Sequence, residues 1–383
     1  MAVLNRVHGF CITHHVLRRF RHLHDALLVA GPIGLVCFAG FGESGVFNGG
    51  TWRHLPPAVF AWVMLCLAGL AGFCWSVIRW NLQLRPKTLT NDDAHVYDLS
   101  GNPGPPPIGD GPHSFLARIP GNEVFHLESG TKTYQLSSIP SEWHDGLRIL
   151  HFSDLHFVGT PTRDWFDRII DAAADFEVDL IAFTGDLIDR EHLISWIPET
   201  LGRLTAPLGC YFCLGNHDWY RSDTERIRAC LSDCGWTSVA GRTVVVEHKG
   251  RKLALSGTEL PWMGQHPDMA GVGTDTFSLL LSHTPDNLGW ARKHGINVML
   301  AGHTHGGQVA LPVIGPVFAP SRYGVSRAAG DFMVGNMLLH VSRGIAGDKP
   351  LRWNCRPELT KLVLKRLKTE ETCLTFSLQP SAS

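Results

Sequence analysis

The sequence has almost no net charge and no cysteine framework, and each of these absences excludes a class of protein. Its 34 Lys and Arg residues are balanced by 35 Asp and Glu residues, so the formal net charge is −1. The chain has no global excess of positive charge to attract nucleic acid, so we expect no nucleic acid among its partners. The 10 cysteines are scattered along the chain, which is not the pattern of a small secreted disulfide scaffold.

Uncharged apolar sequence is concentrated near the N-terminus, after a basic, histidine-rich segment at 1–25. A first uncharged run, 26–41, has only 16 residues, and a second, 57–78, has 22 residues. A membrane span needs about 20 such residues, so the second run is long enough and the first is marginal. Basic residues flank the pair on its outer sides, which predicts a two-helix anchor in the cell (inner) membrane over 26–80, with the rest of the chain cytoplasmic. An alternative takes Arg18-Arg19 as a twin-arginine export signal.

The remaining chain divides into three parts. A Pro- and Gly-rich linker is predicted at 81–112, because its composition favours extended or mobile chain. A soluble domain follows at 113–367, and 368–383 is a C-terminal tail. Within the domain, 124–128 and 133–136 are predicted to form a hairpin. From Leu147 onwards strands alternate with helices, and later segments are rich in strands, which predicts an α/β layered core with two sheets. The helices are predicted at 163–176, 191–204, 222–234 (with Ser222 as its N-cap) and 286–294.

Polar side chains follow the apolar strands of this domain, at the point where each strand ends. In open α/β sheets ligands bind outside the carboxyl ends of the strands, so these side chains are expected to meet at one edge. Carboxylate, amide and imidazole groups suffice for two divalent cations, and the lack of thiolate disfavours a structural zinc cage. Mn, Fe and Zn all suit such a set, and we take Mn as the first choice. The residues are Asp154, His156, Asp186, Asn216, His217, His283, His303 and His305.

Five motifs carry a resemblance to a known family. Asp-x-His at 154–156, Gly-Asp at 185–186, Gly-Asn-His-Asp at 215–218, an isolated His283 and Gly-His-x-His at 302–305 occur in this order. Together they resemble the signature of the calcineurin-like metallophosphoesterases. The resemblance implies a four-layer α/β/β/α fold and a dinuclear site bridged by Asp186. It implies one ion on Asp154, His156, Asp186 and His305, a second on Asp186, Asn216, His283 and His303, and His217 as the residue that stabilises the transition state.

The local sequence around these motifs is similar to that of the bacterial membrane-anchored YkuE- and YaeI-like branch of the family. Some members of this branch resemble enzymes that cleave UDP-2,3-diacylglucosamine in lipid A synthesis. The resemblance therefore implies a two-metal hydrolase of a phosphate ester or pyrophosphate, acting on a small-molecule or lipid-linked substrate. Two alternatives stay open: a nucleotide or cyclic-nucleotide phosphodiesterase, and a catalytically silent membrane-anchored binding module. The oligomeric state is not predicted.

Two further features have more than one interpretation. Arg322 and Arg343 follow the last motif and either face a substrate phosphate or belong to ordinary loops. Cys210 and Cys213 have the spacing of a redox or zinc motif, but residues three apart on a strand face opposite sides. We therefore expect both cysteines to pack in the core.

Overall fold

The computed structural model describes residues 33–34, 37, 41, 46–49, 56–82, 85–101, 104–273 and 275–367. The basic segment 1–25, almost all of the first apolar run and the tail 368–383 lie outside these residues. All of the predicted metal ligands lie within them.

Two mixed β-sheets form the centre of the domain. The first has seven strands, which in spatial order are β1 (Leu89–Asp98), β2 (His126–Leu136), β15 (Glu358–Arg366), β3 (Leu147–Phe152), β4 (Leu180–Phe183), β5 (Cys210–Phe212) and β6 (Trp236–Ser238). Strands β3 to β6 are parallel, whereas β15 runs antiparallel to β3 and parallel to β2.

The second sheet has six strands, which in spatial order are β13 (Gly330–Val334), β14 (Met337–Val341), β10 (Val298–Ala301), β9 (Phe277–Ser282), β8 (Arg251–Thr258) and β7 (Thr243–His248). Its four central strands are parallel, and an antiparallel strand closes each edge. A small hairpin, β11 (Ala310–Leu311) with β12 (Gly315–Pro316), comes between β10 and β13 along the chain.

Three apolar clusters show how the layers pack. One cluster combines side chains from both sheets, such as Leu180 and Leu279, and therefore lies between them. A second packs helix Arg163–Ala174 against the outer face of the first sheet, and a third packs helix Leu288–Lys293 against the second sheet. The α/β class with two sheets is confirmed. Cys210 and Cys213 are buried in different clusters, on opposite faces of the first sheet, so both pack in the core as predicted.

Several local predictions differ from the structure. The helix predicted at 191–204 is replaced by two short 3-10 turns, Glu191–Trp196 and Leu201–Arg203, because Pro198 cannot continue a helical hydrogen-bond ladder. The N-cap of the helix predicted at 222–234 is Asp223, not Ser222, since the Asp223 side chain accepts hydrogen bonds from two backbone N–H groups.

In chain order the helices are α1 (Pro57–Asn81), α2 (Arg163–Ala174), α3 (Asn216–Arg221), α4 (Thr224–Asp233) and α5 (Leu288–Lys293).

The segment before the domain is more ordered than its composition predicts. The predicted linker contains strand β1, which pairs with β2 along its length. Strand β2 itself runs unbroken through 129–130, so the hairpin predicted at 124–136 is wrong. The reason is that β1 and β15 supply hydrogen-bond partners on both sides of β2, and these distant strands override the local turn preference of Ser129-Gly130.

Helix α1 covers the second apolar run. Many of its side chains are exposed, among them Phe60, Leu65 and Leu70. Among the residues described, no helix reaches the combination of length and hydropathy needed to cross a bilayer. The predicted two-span anchor is therefore not confirmed.

Candidate metal centre

The predicted metal ligands follow the carboxyl ends of β3, β4, β5, β9 and β10, and the structure brings them together. They form two groups of side chains, and within each group all of the ligand atoms lie within 4.8 Å of one another. The Oδ1 atom of Asn216 lies 3.2 Å from Nε2 of His283, which adds Asn216 to the second group. Asp186 belongs to both. The first group is Asp154, His156, Asp186 and His305, and the second is Asp186, His283 and His303.

Three of the imidazoles are held with the same ring nitrogen facing the cluster. Nδ1 of His156 lies 2.6 Å from the Asp189 carboxylate, and Nδ1 of His283 and of His305 lie 2.7 and 3.1 Å from backbone carbonyl oxygens. Because these oxygens accept, each Nδ1 carries a proton, and each Nε2 faces the cluster as the nitrogen that would bind a metal once it has lost its own proton. Such outer hydrogen bonds orient the histidine ligands of metal sites. The Nε2 atoms of His156 and His305 are only 3.2 Å apart.

The Asp186 carboxylate lies between the two groups. Its Oδ2 is 3.5 Å from Nε2 of His156 and 3.2 Å from Nε2 of His283. Its Oδ1 accepts the backbone N–H of His217 at 2.8 Å. Burial favours the neutral form, but the neighbouring His283 and His217 hold the pKa of Asp186 well below its usual range. The carboxylate is therefore ionised and has one oxygen directed at both groups.

Burial also sets the protonation of two histidines in the cluster. It lowers the pKa of His303 to about 3, with help from the positive charge of His283. It lowers the pKa of His305 well below its usual range, again with help from a neighbouring histidine, His156. Both imidazoles are therefore neutral near pH 7, which is the form that binds metals.

The backbone around the cluster is strained at five of the seven predicted ligands. Asp154, His156, Asp186, His303 and His305 have φ angles between 44° and 70°. Such left-handed conformations are uncommon outside glycine and cost of order 1–3 kcal/mol each, and they concentrate at functional sites. The loops also pack closely, since a Cβ on Gly302 would lie 2.7 Å from the Cβ of Ser153. The packing of these loops therefore holds the five residues in backbone conformations that are locally unfavourable for them.

The donor set fits divalent cations. It offers four imidazoles, two carboxylates and one amide oxygen, which converge on a buried point. Mixed nitrogen and oxygen ligation of this kind suits Mn, Fe or Zn. The groups that converge are those that the motifs predict.

His217 stands beside the cluster and reaches the surface. Its ring centroid is 4.7 Å from that of His156, and its side chain is 20% exposed, whereas that of His156 is 1% exposed. Nδ1 of His217 lies 2.6 Å from Oδ1 of Asp189. Burial opposes its charged form, but the Asp186 and Asp189 carboxylates raise the pKa of His217 to about 10. A protonated imidazole is therefore held at the mouth of the site.

Two acidic residues of the site are missing from the sequence-based prediction. Asp189 accepts hydrogen bonds from both His156 and His217, and these three residues form a third group of potential ligands. Asp218 accepts four backbone N–H groups, from Asp186, Leu187, Ile188 and Gly215, and so fixes the loop that carries Asp186. Asp189 lies three residues after Asp186 on the same loop, and that proximity was the available signal.

Arg322 and Arg343, whose role the sequence leaves open, both contact carboxylates of the domain. Arg343 binds Glu128 at 2.7 Å and Glu358 at 3.1 Å, and its side chain is 20% exposed. The backbone N–H of Arg322 donates to Asp286. Arg343 therefore joins β2 to β15 and is occupied by two carboxylates.

Two donor groups that share a carboxylate, at the carboxyl ends of the parallel strands of two packed sheets, are typical of metal-dependent hydrolases. Residues 147–307 match the family model described as calcineurin-like phosphoesterase. The chain belongs to this family, and it is a metallophosphoesterase, a metal-dependent hydrolase of phosphoric ester or anhydride bonds.

Three relatives show the breadth of the family around this chain. It is 32% identical over 253 residues to the uncharacterized metallophosphoesterase YkuE of Bacillus subtilis, covering 63% of this chain and 87% of the relative. It is 32% identical over 225 residues to the phosphodiesterase YaeI of Escherichia coli, covering 57% and 82%. It is 25% identical over 273 residues to the UDP-2,3-diacylglucosamine pyrophosphatase LpxG of Chlamydia muridarum, covering 56% and 82%.

Proposed function

We propose that this chain is a membrane-associated two-metal phosphoesterase that hydrolyses a phosphate ester or pyrophosphate bond of a lipid-linked substrate. The observation that carries the proposal is the position of Asp186, shared by two donor groups, with His217 exposed beside them. A shared carboxylate is the arrangement that holds two ions close enough to act on one phosphate.

The ligands divide between two ions as the family motifs imply. Divalent ions bound there would stabilise negative charge on the phosphate and lower the pKa of an attacking water. Mn is the first choice, with Fe and Zn as alternatives. One ion is assigned to Asp154, His156, Asp186 and His305, and the other to Asp186, Asn216, His283 and His303.

His217 is the residue that moves a proton. Asp189 binds its Nδ1, so the opposite edge of the ring, with Nε2, is directed away from Asp189. We assign this Nε2 to the leaving oxygen of a bound ester. Because the carboxylates around it favour the imidazolium form, His217 is suited to protonate that oxygen as the bond breaks. Asp189 acts through His217 and His156 and is a positioning residue.

A lipid-linked substrate is supported by two observations. LpxG, a relative covered over most of its length, is named for cleavage of UDP-2,3-diacylglucosamine. Helix α1 exposes large apolar side chains beside a polar catalytic domain, which favours contact with a membrane. YaeI is named a phosphodiesterase, so hydrolysis of nucleotides or cyclic nucleotides is the alternative.

A substrate panel tests the reaction. The full chain, purified in detergent and supplied with Mn, is offered UDP-2,3-diacylglucosamine, phospholipids, cyclic nucleotides and p-nitrophenyl phosphate esters. We expect the highest kcat/KM on a lipid-linked pyrophosphate or ester. A higher kcat/KM on cyclic nucleotides would favour the alternative, and no turnover of any ester would refute the proposal.

The His217→Ala variant tests the division between ligands and proton donor. We expect its metal content to match the wild type while turnover falls roughly 100- to 10,000-fold, the usual effect of losing a general acid. His266→Ala is the matched control, since His266 stacks on Trp290 and belongs to none of the potential metal-binding groups among the described residues. Loss of metal from His217→Ala would make His217 a ligand, and full activity would require a different proton donor.

A further inference from the structure

A small apolar patch lies on the surface shortly after the loop that carries His305. It consists of Leu311 and Val313 of the β11–β12 hairpin together with Trp353, and we call it the hairpin patch. These side chains are 41%, 77% and 42% exposed. The backbone N–H of Ala310 donates to the carbonyl of Trp353 at 2.8 Å, which joins the two segments. Single exposed apolar residues are ordinary, but a cluster of them indicates a binding surface.

The hairpin patch is continuous with the end of helix α1. The Asn81 side chain donates to the carbonyl oxygen of Val313 at 2.6 Å. The indole of Trp80 lies so close to Gly315 that a Cβ there would approach the ring to 2.5 Å. The last turn of α1 is therefore fastened to the hairpin, and the apolar surface of the helix leads onto it.

We propose that the hairpin patch rests on the surface of a lipid bilayer, and that this contact presents the metal site to phosphates at the level of the headgroups. This inference rests on the proposed function, because it extends the membrane contact of α1 to the catalytic domain. Lys87, exposed shortly after the helix, suits an anionic headgroup. A second copy of the chain is a poorer occupant, since three side chains are far less than the roughly 800 Å² per partner of a stable interface.

The connection between the patch and the metal site is short and rigid. Leu311 follows His305 by six residues, which span at most about 20 Å when fully extended. Arg352 donates to the carbonyl of His305 at 3.1 Å, and the backbone N–H of Trp353 donates to Gln308 at 2.9 Å. A bilayer in contact with the patch therefore lies within about 20 Å of His305.

Fluorescence quenching tests the contact without using activity. An environment-sensitive fluorescent amino acid is placed at position 313 of the full chain, and separately at position 245 as a control. Val245 is also an exposed apolar residue, 49% exposed, but it lies on the edge strand β7. The proteins are reconstituted in phosphatidylcholine and phosphatidylglycerol vesicles that contain a lipid with a nitroxide near its headgroup. We expect strong quenching at 313 and little at 245.

The outcomes separate this inference from the membrane contact of α1. If the chain floats with the vesicles but position 313 is not quenched more than position 245, the hairpin patch does not touch the bilayer and the inference is wrong. If the chain does not float with the vesicles, the membrane contact of α1 fails as well. A blue shift at 313 that depends on protein concentration and not on lipid would identify a second copy as the occupant and overturn the proposal.

A second variant measures the consequence for turnover. Replacing Leu311 and Val313 together by Ser removes apolar area without touching the proposed ligands or His217. Burying such side chains contributes enough to membrane binding that we expect kcat/KM on a vesicle-bound lipid ester to fall about tenfold or more. Hydrolysis of soluble bis(p-nitrophenyl) phosphate should not change. Equal losses on both substrates would mean that the hairpin supports the fold and not the docking.

Discussion

Asp189→Asn is the substitution that best tests how the site is organised. The Asp189 carboxylate is 4% exposed and accepts two short hydrogen bonds, each 2.6 Å, from His156 and His217. An amide of the same shape has one acceptor oxygen and one donor nitrogen, so it satisfies one imidazole N–H and opposes the other. Losing a hydrogen bond to a charged group costs about 1.5–3 kcal/mol, or roughly 10- to 150-fold in an equilibrium or rate constant.

We therefore expect two effects from Asp189→Asn. The Kd for the metal should rise about 10- to 100-fold, because His156 is no longer held by its outer partner. At saturating metal, kcat on bis(p-nitrophenyl) phosphate should still fall, because His217 has lost the carboxylate that orients and charges it. Titration of metal-depleted protein followed by steady-state kinetics measures both quantities on the same preparation.

Asp331→Asn is the matched control for that experiment. Asp331 is also a buried carboxylate on a histidine, with its Oδ1 2.5 Å from Nδ1 of His340, but this pair lies outside the metal groups. We expect Asp331→Asn to lower stability and to leave kcat and metal affinity unchanged. If Asp189→Asn changes neither quantity, or if the control changes both equally, Asp189 does not position the site.

The remaining predictions concern stability and packing. Glu358→Gln should lower the free energy of unfolding by about 3–5 kcal/mol in urea titrations, because the buried carboxylate pairs with Lys132 and Arg343, each at 3.1 Å. As a control, Asp145→Asn removes a carboxylate from an exposed ion pair and should not change the midpoint of urea unfolding. Gly302→Ala should weaken metal binding because its Cβ has no room beside the carboxylate loop, whereas Gly289→Ala, with open space, should not, and the reverse order would refute the packing argument. Asp331 has its pKa lowered to about 2 by His340 and Lys132 against the effect of burial, so it stabilises the folded state above about pH 4. The stability gap between wild type and Asp331→Asn should therefore close between about pH 4 and pH 2 and stay constant from about pH 5 to 7.

Sequence alone predicted which residues converge at the candidate metal centre because these residues follow a simple geometric rule. Each predicted ligand comes shortly after an apolar run, and the carboxyl ends of parallel strands meet at one edge of a sheet. The alternation of strands and helices was sufficient to predict both sheets and to place Asp154 and Asp186 near each other on the first sheet. His303 follows a strand of the second sheet and meets them because the two sheets pack against each other. Local signals were less reliable where a distant partner competed. Strand β2 passed through a turn-like dipeptide because two other strands bind it, and one predicted helix was broken by its own proline.

Only the tertiary structure decided which side chains hold the ligands in place. Asp189 and His156 are 33 residues apart, and no periodicity relates them, yet they share a 2.6 Å hydrogen bond. Asp218 fixes the Asp186 loop through backbone N–H groups 30 to 32 residues earlier in the chain and one three residues before it. The end of α1 meets the hairpin across 232 residues. Hydrogen bonds of this kind depend on distances and angles between loops, which form only when the sheets have packed, so the pattern of residue types along the chain does not specify them.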